Sequence, residues 1–197
     1  MRAVFLDTET NGLNPQVHHI VELAFKIVDL ETGALLDNYE KIVSMPEEAW
    51  AKSDKESLRI NGFSWEEIQT KGQKPDLIAQ EITERFEQFE IKRKKAVFIC
   101  QNPSFDRVFF SKLINPDRQE ALFWPYHWLD LASMFWALSI IEAKSQKSPL
   151  PWQIGFSKDS IAFHYKIPPE DKPHRAMNGV SHLLLCYTAM LGFSPKR

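Results

Sequence analysis

The apolar run Ala3-Val4-Phe5-Leu6 leads straight into Asp7-Thr8-Glu9-Thr10-Asn11-Gly12, a pattern that predicts a strand ending in a polar Asn-Gly turn. Residues 20–29 and 35–44 read as two further strands around Thr32-Gly33, so the first three strands form an antiparallel meander. Short helical pieces follow over residues 56–70, with Ser64 as an N-cap and Phe63 at an exposed turn. Pro75 opens a longer helix whose Leu77, Ile78, Ile82, Phe86 and Phe89 recur at helical spacing. Residues 96–100, Ala-Val-Phe-Ile-Cys, are apolar throughout, as in a strand covered on both faces. Ser104 then caps a helix that buries Phe105, Val108, Phe109 and Leu113.

The remaining pattern is helical. Asp130 opens a helix through Ile141, and residues 144–155, with Pro149 and Pro151, predict a mobile loop. Two more helices are expected over residues 157–165 and about 174–191, separated by Ile167-Pro168-Pro169. Strands first, then strands interleaved with helices, indicate an α/β fold with a mixed sheet and helices on its faces. Such sheets bind ligands at strand ends.

Composition narrows the class. The 197 residues fit a single domain over residues 1–197, and 44% hydrophobic with 25% charged residues is ordinary globular content. With 24 basic against 26 acidic residues, the net charge of −2 argues against gripping nucleic acid by bulk charge. The run Lys92-Arg93-Lys94-Lys95 reads as a solvated helix end. The chain enters a strand directly after Met1-Arg2, without a leader pattern, and no uncharged stretch approaches the roughly 20 residues that span a bilayer. Two cysteines, Cys100 and Cys186, do not make a disulfide framework. Together these features predict a cytoplasmic protein with no membrane partner.

Candidate chemistry begins with Asp7 and Glu9. Side chains at i and i+2 of a strand share a face, so both carboxylates can point from the same rim, and two such neighbours repel unless a cation or proton lies between them. Asp106, six residues beyond the buried strand 96–100, can reach that rim or favour its own helix through the macrodipole. His174 stands at the entrance of the last helix, where an imidazole can act as a general base on water.

In order and spacing, these pieces resemble the Asp-Glu-Asp-Asp 3′–5′ exonucleases with a catalytic histidine, the family of the bacterial polymerase III proofreading subunit, RNase T and oligoribonuclease. The similarity is carried by Phe5-Leu6-Asp7-Thr8-Glu9-Thr10-Asn11-Gly12-Leu13, by residues 57–64, by Gln101-Asn102-Pro103-Ser104-Phe105-Asp106 and by His174-Arg175-Ala176. The resemblance implies a ribonuclease H-like, five-stranded mixed sheet and hydrolysis of single-stranded DNA or RNA from the 3′ end with two Mg2+ or Mn2+ ions. It also implies Asp7 bridging both ions, Glu9 on the nucleophile-side ion, Asp106 as an outer ligand through water, and His174 as the base. Thr8, Thr10, Leu13, Phe63 and Phe105 match positions that contact the terminal nucleotide. A homodimer and a polymerase or repair partner are the associations this family brings with it.

One departure is sharp. Five residues after the histidine the family carries its last aspartate, and here that position is Gly179. The change removes an anionic ligand from the nucleophile-side ion, while glycine inside a helix costs about 1 kcal/mol relative to alanine. An impaired exonuclease and a catalytically inactive module that binds 3′ ends or a protein partner are the two functional expectations.

Overall fold

In the computed structural model, which describes residues 1–146 and 148–192, five strands form one sheet in the order β3-β2-β1-β4-β5. The strands are β1 (Arg2–Thr10), β2 (Ile20–Asp29), β3 (Leu35–Ile42), β4 (Ala96–Cys100) and β5 (Trp128–Asp130). β1 pairs antiparallel with β2 and β2 with β3, whereas β4 lies parallel to both β1 and β5. The mixed α/β sheet is the one that the pattern predicts, and its five strands are those that the family resemblance implies, with β5 formed by Trp128–Asp130 at the start of the expected helix. The parallel pairing brings the C-terminal ends of β1 and β4 to the same rim.

Alternation along β1 divides the helices between two layers. Val4 and Leu6 face one core together with Phe98, and there α4 (Pro75–Gln88) supplies Ile78, Ile82 and Phe86 and α5 (Pro103–Leu113) supplies Phe109 and Phe110. Ala3, Phe5 and Ile99 face the other, shared with α7 (Leu131–Gln146), α9 (Lys158–His164) and α10 (Ala176–Leu191). The shorter helices α1 (Glu47–Trp50), α2 (Lys55–Asn61) and α3 (Trp65–Lys71) follow β3, α6 (Pro116–Ala121) follows α5, and α8 (Pro151–Ile154) precedes α9.

Local signals hold where they are strongest. Ser64 accepts a hydrogen bond from the Glu67 N–H at the start of α3, and Ser157 caps α9 in the same way through Ser160 N–H. The basic run is a solvated connection whose Lys92, Arg93 and Lys95 pair with Glu87, Glu120 and Glu90. Both cysteines are free and buried.

Five local expectations change. Phe63 is buried, because the Arg175 guanidinium lies 3.8 Å over its ring and Val21 and Ile68 share its cluster. Leu77 is exposed on the first turn of α4, beyond the reach of the sheet. Val108 is also exposed, and Phe110 takes the core position on α5; the α5 cap is Asn102 in a left-handed conformation, ahead of Pro103. The expected loop over residues 144–155 is partly helical: α7 continues to Gln146 and α8 forms at Pro151, with Leu150 N–H bonded to Gln153 Oε1. Lys147, within that expected loop, lies outside the described residues. Among the described residues no helix is long and apolar enough to cross a membrane.

Candidate active site

At the end of β1 the alternation of side chains places Asp7 and Glu9 on the α10 face of the sheet, in line with Ala3 and Phe5, and Thr8 on the α5 face. The two carboxylates thus share a side, as i, i+2 spacing requires. Glu22 of β2 lies directly opposite Glu9 in the ladder. Its Oε2 accepts the Ala176 N–H at 2.7 Å, so a sheet carboxylate caps the first turn of α10.

Asp106 sits in the first turn of α5 and is buried. Its Oδ1 accepts both the Thr8 N–H at 3.0 Å and the Thr8 hydroxyl at 2.8 Å. The carboxylate therefore reaches the rim from the neighbouring strand's helix, and it also locks the last turn of β1 to α5.

Gly179 lies in α10 against Asp7. A Cβ built on it would come within 1.9 Å of Asp7 Oδ2 and 3.1 Å of Lys158 Nζ. The glycine thus has a local reason that the sequence did not reveal: any side chain there would force the Asp7 carboxylate to turn away. The space beside Asp7 is bordered instead by a cation. Lys158, the first residue of α9, places its Nζ 2.7 Å from Glu170 Oε2 and 3.9 Å from Asp7 Oδ1, with all three side chains largely shielded from solvent.

His174 completes this side. Its backbone N–H donates to Ile60 O at 3.1 Å, and its Nδ1 stands 3.7 Å from Glu170 Oε1 while the ring stays one-third exposed. Arg175 next to it reaches Glu67 Oε2 at 3.0 Å, lies over Phe63 and approaches Glu22 Oε1 at 4.0 Å. His182, one turn beyond Gly179, has its Nε2 engaged with Pro168 O at 2.8 Å.

Crowded acid groups in a shielded site hold their protons. Burial, then the charges of Asp7, Glu170 and Glu22, raise Glu9 to about 8, outweighing Lys158. Burial raises Asp7 to about 6, with Lys158 pulling down and Glu170 pushing up. Glu22 rises to about 7, mainly through burial and against the Ala176 N–H bond. Asp106 is pushed well above the usual carboxylate range by burial and by Asp7, despite its bonds to Thr8. Burial opposes the charge on Lys158, yet Asp7 and Glu170 hold its ammonium above the ordinary lysine value.

The expected nucleotide contacts divide. Leu13 is 74% exposed and available to a ligand, and Phe105 is half-buried with its ring 4.8 Å from that of Phe109. Thr8 and Thr10 are buried with their hydroxyls bonded to Asp106 and Gly12 O, so they shape the strand end from within. Phe63 sits under Arg175. Among the described residues, no three His, Cys, Asp or Glu side chains converge as a ready-made metal cluster. Asp106 turns one oxygen to Thr8, and Lys158 stands against Asp7.

The sequence also matches an exonuclease family profile, RNase T, over residues 4–181. The chain belongs to the RNase T exonuclease family. A search of curated protein sequences gives no match. Among solved structures, E. coli exonuclease I in complex with a dA16 oligonucleotide is similar with a TM-score of 0.74 at 16% identity, over 98% of this chain and 41% of that one. Cell-death related nuclease 4 is similar with a TM-score of 0.73 at 14% identity, over 97% of this chain and 64% of that one. A 3′-exonuclease described in 3′-end-specific recognition of a histone mRNA stem-loop is similar at a TM-score of 0.69 and 12% identity, over 97% of this chain and 81% of that one. The fold is shared at low identity, and the chain spans about two fifths of the length of exonuclease I. Asp7 and Glu9 thus share one face of the β1 end, Asp106 is bonded to Thr8 between them, and His174 lies 3.7 Å from Glu170, whose partner Lys158 stands 3.9 Å from Asp7. Nothing in the local pattern marks a glutamate after Pro168-Pro169 or a lysine at a helix start as partners of Asp7.

Proposed function

We propose that this chain is a divalent-metal-dependent 3′–5′ exonuclease acting in the cytoplasm on single-stranded DNA or RNA ends, with turnover lowered by Gly179. The observation that carries the reading is that Asp7 and Glu9 share one face at the end of β1 and Asp106 of α5 is bonded to Thr8 between them, within an exonuclease-family domain. Carboxylates whose proton affinity is raised by burial and by neighbouring acids are a hard-oxygen donor set suited to Mg2+ or Mn2+. Asp7 and Glu9 would hold such an ion, and Asp106 would support it from the far side of the strand. Bound there, a divalent ion lowers the pKa of a water and stabilises charge on the scissile phosphate.

The chain's own residues supply the rest. His174, partly exposed and 3.7 Å from Glu170 Oε1, would take a proton from an attacking water. Leu13 would offer an apolar wedge to the terminal base, and Phe105, half-buried and tilted against Phe109, would pack beside it.

The test is shortening of a 5′-labelled single-stranded oligonucleotide, DNA and RNA in parallel, with each metal. Asp7→Ala is expected to cut at least about a hundredfold more slowly, the scale of losing one preorganised electrostatic group, and manganese to support faster cutting than magnesium. Equal rates for the chain and its Asp7→Ala variant sink the enzyme reading. A second reading, a non-cutting module that binds 3′ ends, is favoured by the ammonium of Lys158 beside Asp7 and by the loss of a carboxylate at Gly179. Tight binding of a 3′ end without cutting in either metal would establish it.

A further inference from the structure

Three residues from separate segments meet at Asp7. Gly179 of α10 leaves the room that Asp7 Oδ2 occupies, since a Cβ would stand 1.9 Å from that oxygen. Lys158 of α9 brings its Nζ to within 3.9 Å of Asp7 Oδ1 and within 3.1 Å of the place where the Gly179 Cβ would be. Glu170, with its side chain 2% exposed, holds the other side of the ammonium at 2.7 Å.

The arrangement is specific. A lysine at the first position of a helix has no local reason to turn inward, because cations are disfavoured near the positive end of the helix dipole. Desolvating an ammonium is costly unless carboxylates surround it, and here Asp7 and Glu170 do so. Among the described residues neither Glu170 oxygen has another hydrogen-bond partner, and both are buried. Glu170 thus has the lysine as its closest charged neighbour, with His174 Nδ1 further off at 3.7 Å.

We propose that Lys158, held by Glu170 and admitted by Gly179, is a tethered cation that occupies the Asp7 side of the carboxylate site and competes there with a divalent ion. This rests on the reading of Asp7 and Glu9 as the metal-binding pair. It deepens that reading by making the site one-sided: Glu9 and Asp7 would hold a divalent ion, while the position next to Gly179 is filled by the protein's own positive charge. The same ammonium is then available to a phosphate oxygen of a bound 3′ end, since it already lies within a few ångströms of the acid groups that would face that phosphate.

The decisive experiment counts manganese bound by the full chain in the absence of nucleic acid, using the electron paramagnetic resonance signal of free Mn2+. Lys158→Met and the charge-balanced pair Lys158→Met/Glu170→Gln are compared with the unmodified chain, and Lys158→Arg serves as the charge-retaining control. The double variant removes the carboxylate that the lysine would leave unpaired, so it reports even if the single variant fails to fold. Removing the ammonium is expected to tighten manganese binding about tenfold or to add a second bound ion, the effect of deleting one close charge competitor, with Lys158→Arg matching the unmodified chain. Manganese binding that is equal in all four proteins overturns the tethered cation while leaving the metal-binding pair intact. Absence of binding in all four overturns the pair as well. Weaker binding in both methionine variants overturns the competition and makes Lys158 a support of the ion.

Discussion

The two sides of the β1 terminus solve one problem in different ways. On the α5 side, Asp106 is buried against a neutral partner, taking two hydrogen bonds from the backbone and hydroxyl of Thr8. On the α10 side, Asp7 is buried against an ammonium, and a glycine gives it room. The first arrangement is structural as much as functional, because removing the carboxylate strands a buried N–H. The second is held by charge, and charge can be exchanged: whatever brings a stronger cation to Asp7 displaces a side chain rather than breaking the fold. The difference locates rigidity on one face of the sheet and adaptability on the other.

The largest expected effect that tests this contrast is on pH. Glu9, Glu22 and Asp7 hold protons in the folded chain up to about 8, 7 and 6, against ordinary values of 4.5, 4.5 and 3.8. Between the ordinary and the raised values the folded state binds protons that the unfolded chain has released, so stability falls as pH rises. The metal-free protein should lose a few kcal/mol from about pH 4.5 to about pH 8 in urea melts, and a divalent ion should flatten the slope. A metal-free protein whose stability is level across that range would show that the acid side is not under the charge strain described.

Next in size is Asp106→Ala, expected to cost about 3 kcal/mol in chemical denaturation, because the Thr8 N–H and hydroxyl are left buried without an acceptor. Asp7→Ala should cost less than that, since burial of the Asp7 carboxylate is itself unfavourable and Lys158 keeps its closer partner Glu170. Similar losses for the two would erase the distinction between the sides.

The smallest effect is the most diagnostic. Gly179→Ala should destabilise the chain, because its Cβ meets Asp7 Oδ2. In an Asp7→Ala background the same substitution should stabilise by about 1 kcal/mol, the ordinary gain of alanine over glycine in a helix. A change of the same sign in both backgrounds would mean that Asp7 is not what Gly179 accommodates.

Much of the frame can be read from local pattern. β2 and β4 begin and end where alternation and apolar runs place them, at Ile20–Asp29 and Ala96–Cys100, and Ser64 and Ser157 cap their helices. Strand parity alone puts Asp7 and Glu9 on one face. What escapes local reading depends on partners distant in sequence. Phe63 looks like an exposed turn residue until Arg175 covers it, and Val108 looks buried until the pitch of α5 against the sheet turns Phe110 inward. Gly179 looks costly until Asp7 is seen beside it. Lys158 and Glu170 carry no sequence signature, because the ion pair forms only when two segments twelve residues apart both fold onto β1, which is 150 residues earlier.

The links around His174 have a mechanical meaning. Its N–H is bonded to Ile60, its neighbour Arg175 is clasped by Glu67, the Ala176 N–H ends on Glu22, and Asn61 Nδ2 donates to Thr10 O. The start of the last helix, the end of α2, the helix α3 and the paired ends of β1 and β2 are thereby laced into a closed loop of bonds. Such a loop opens as one piece or not at all, so the imidazole keeps its distance from the strand end as the chain breathes, and amide exchange at Ala176 and Phe63 should share one rhythm.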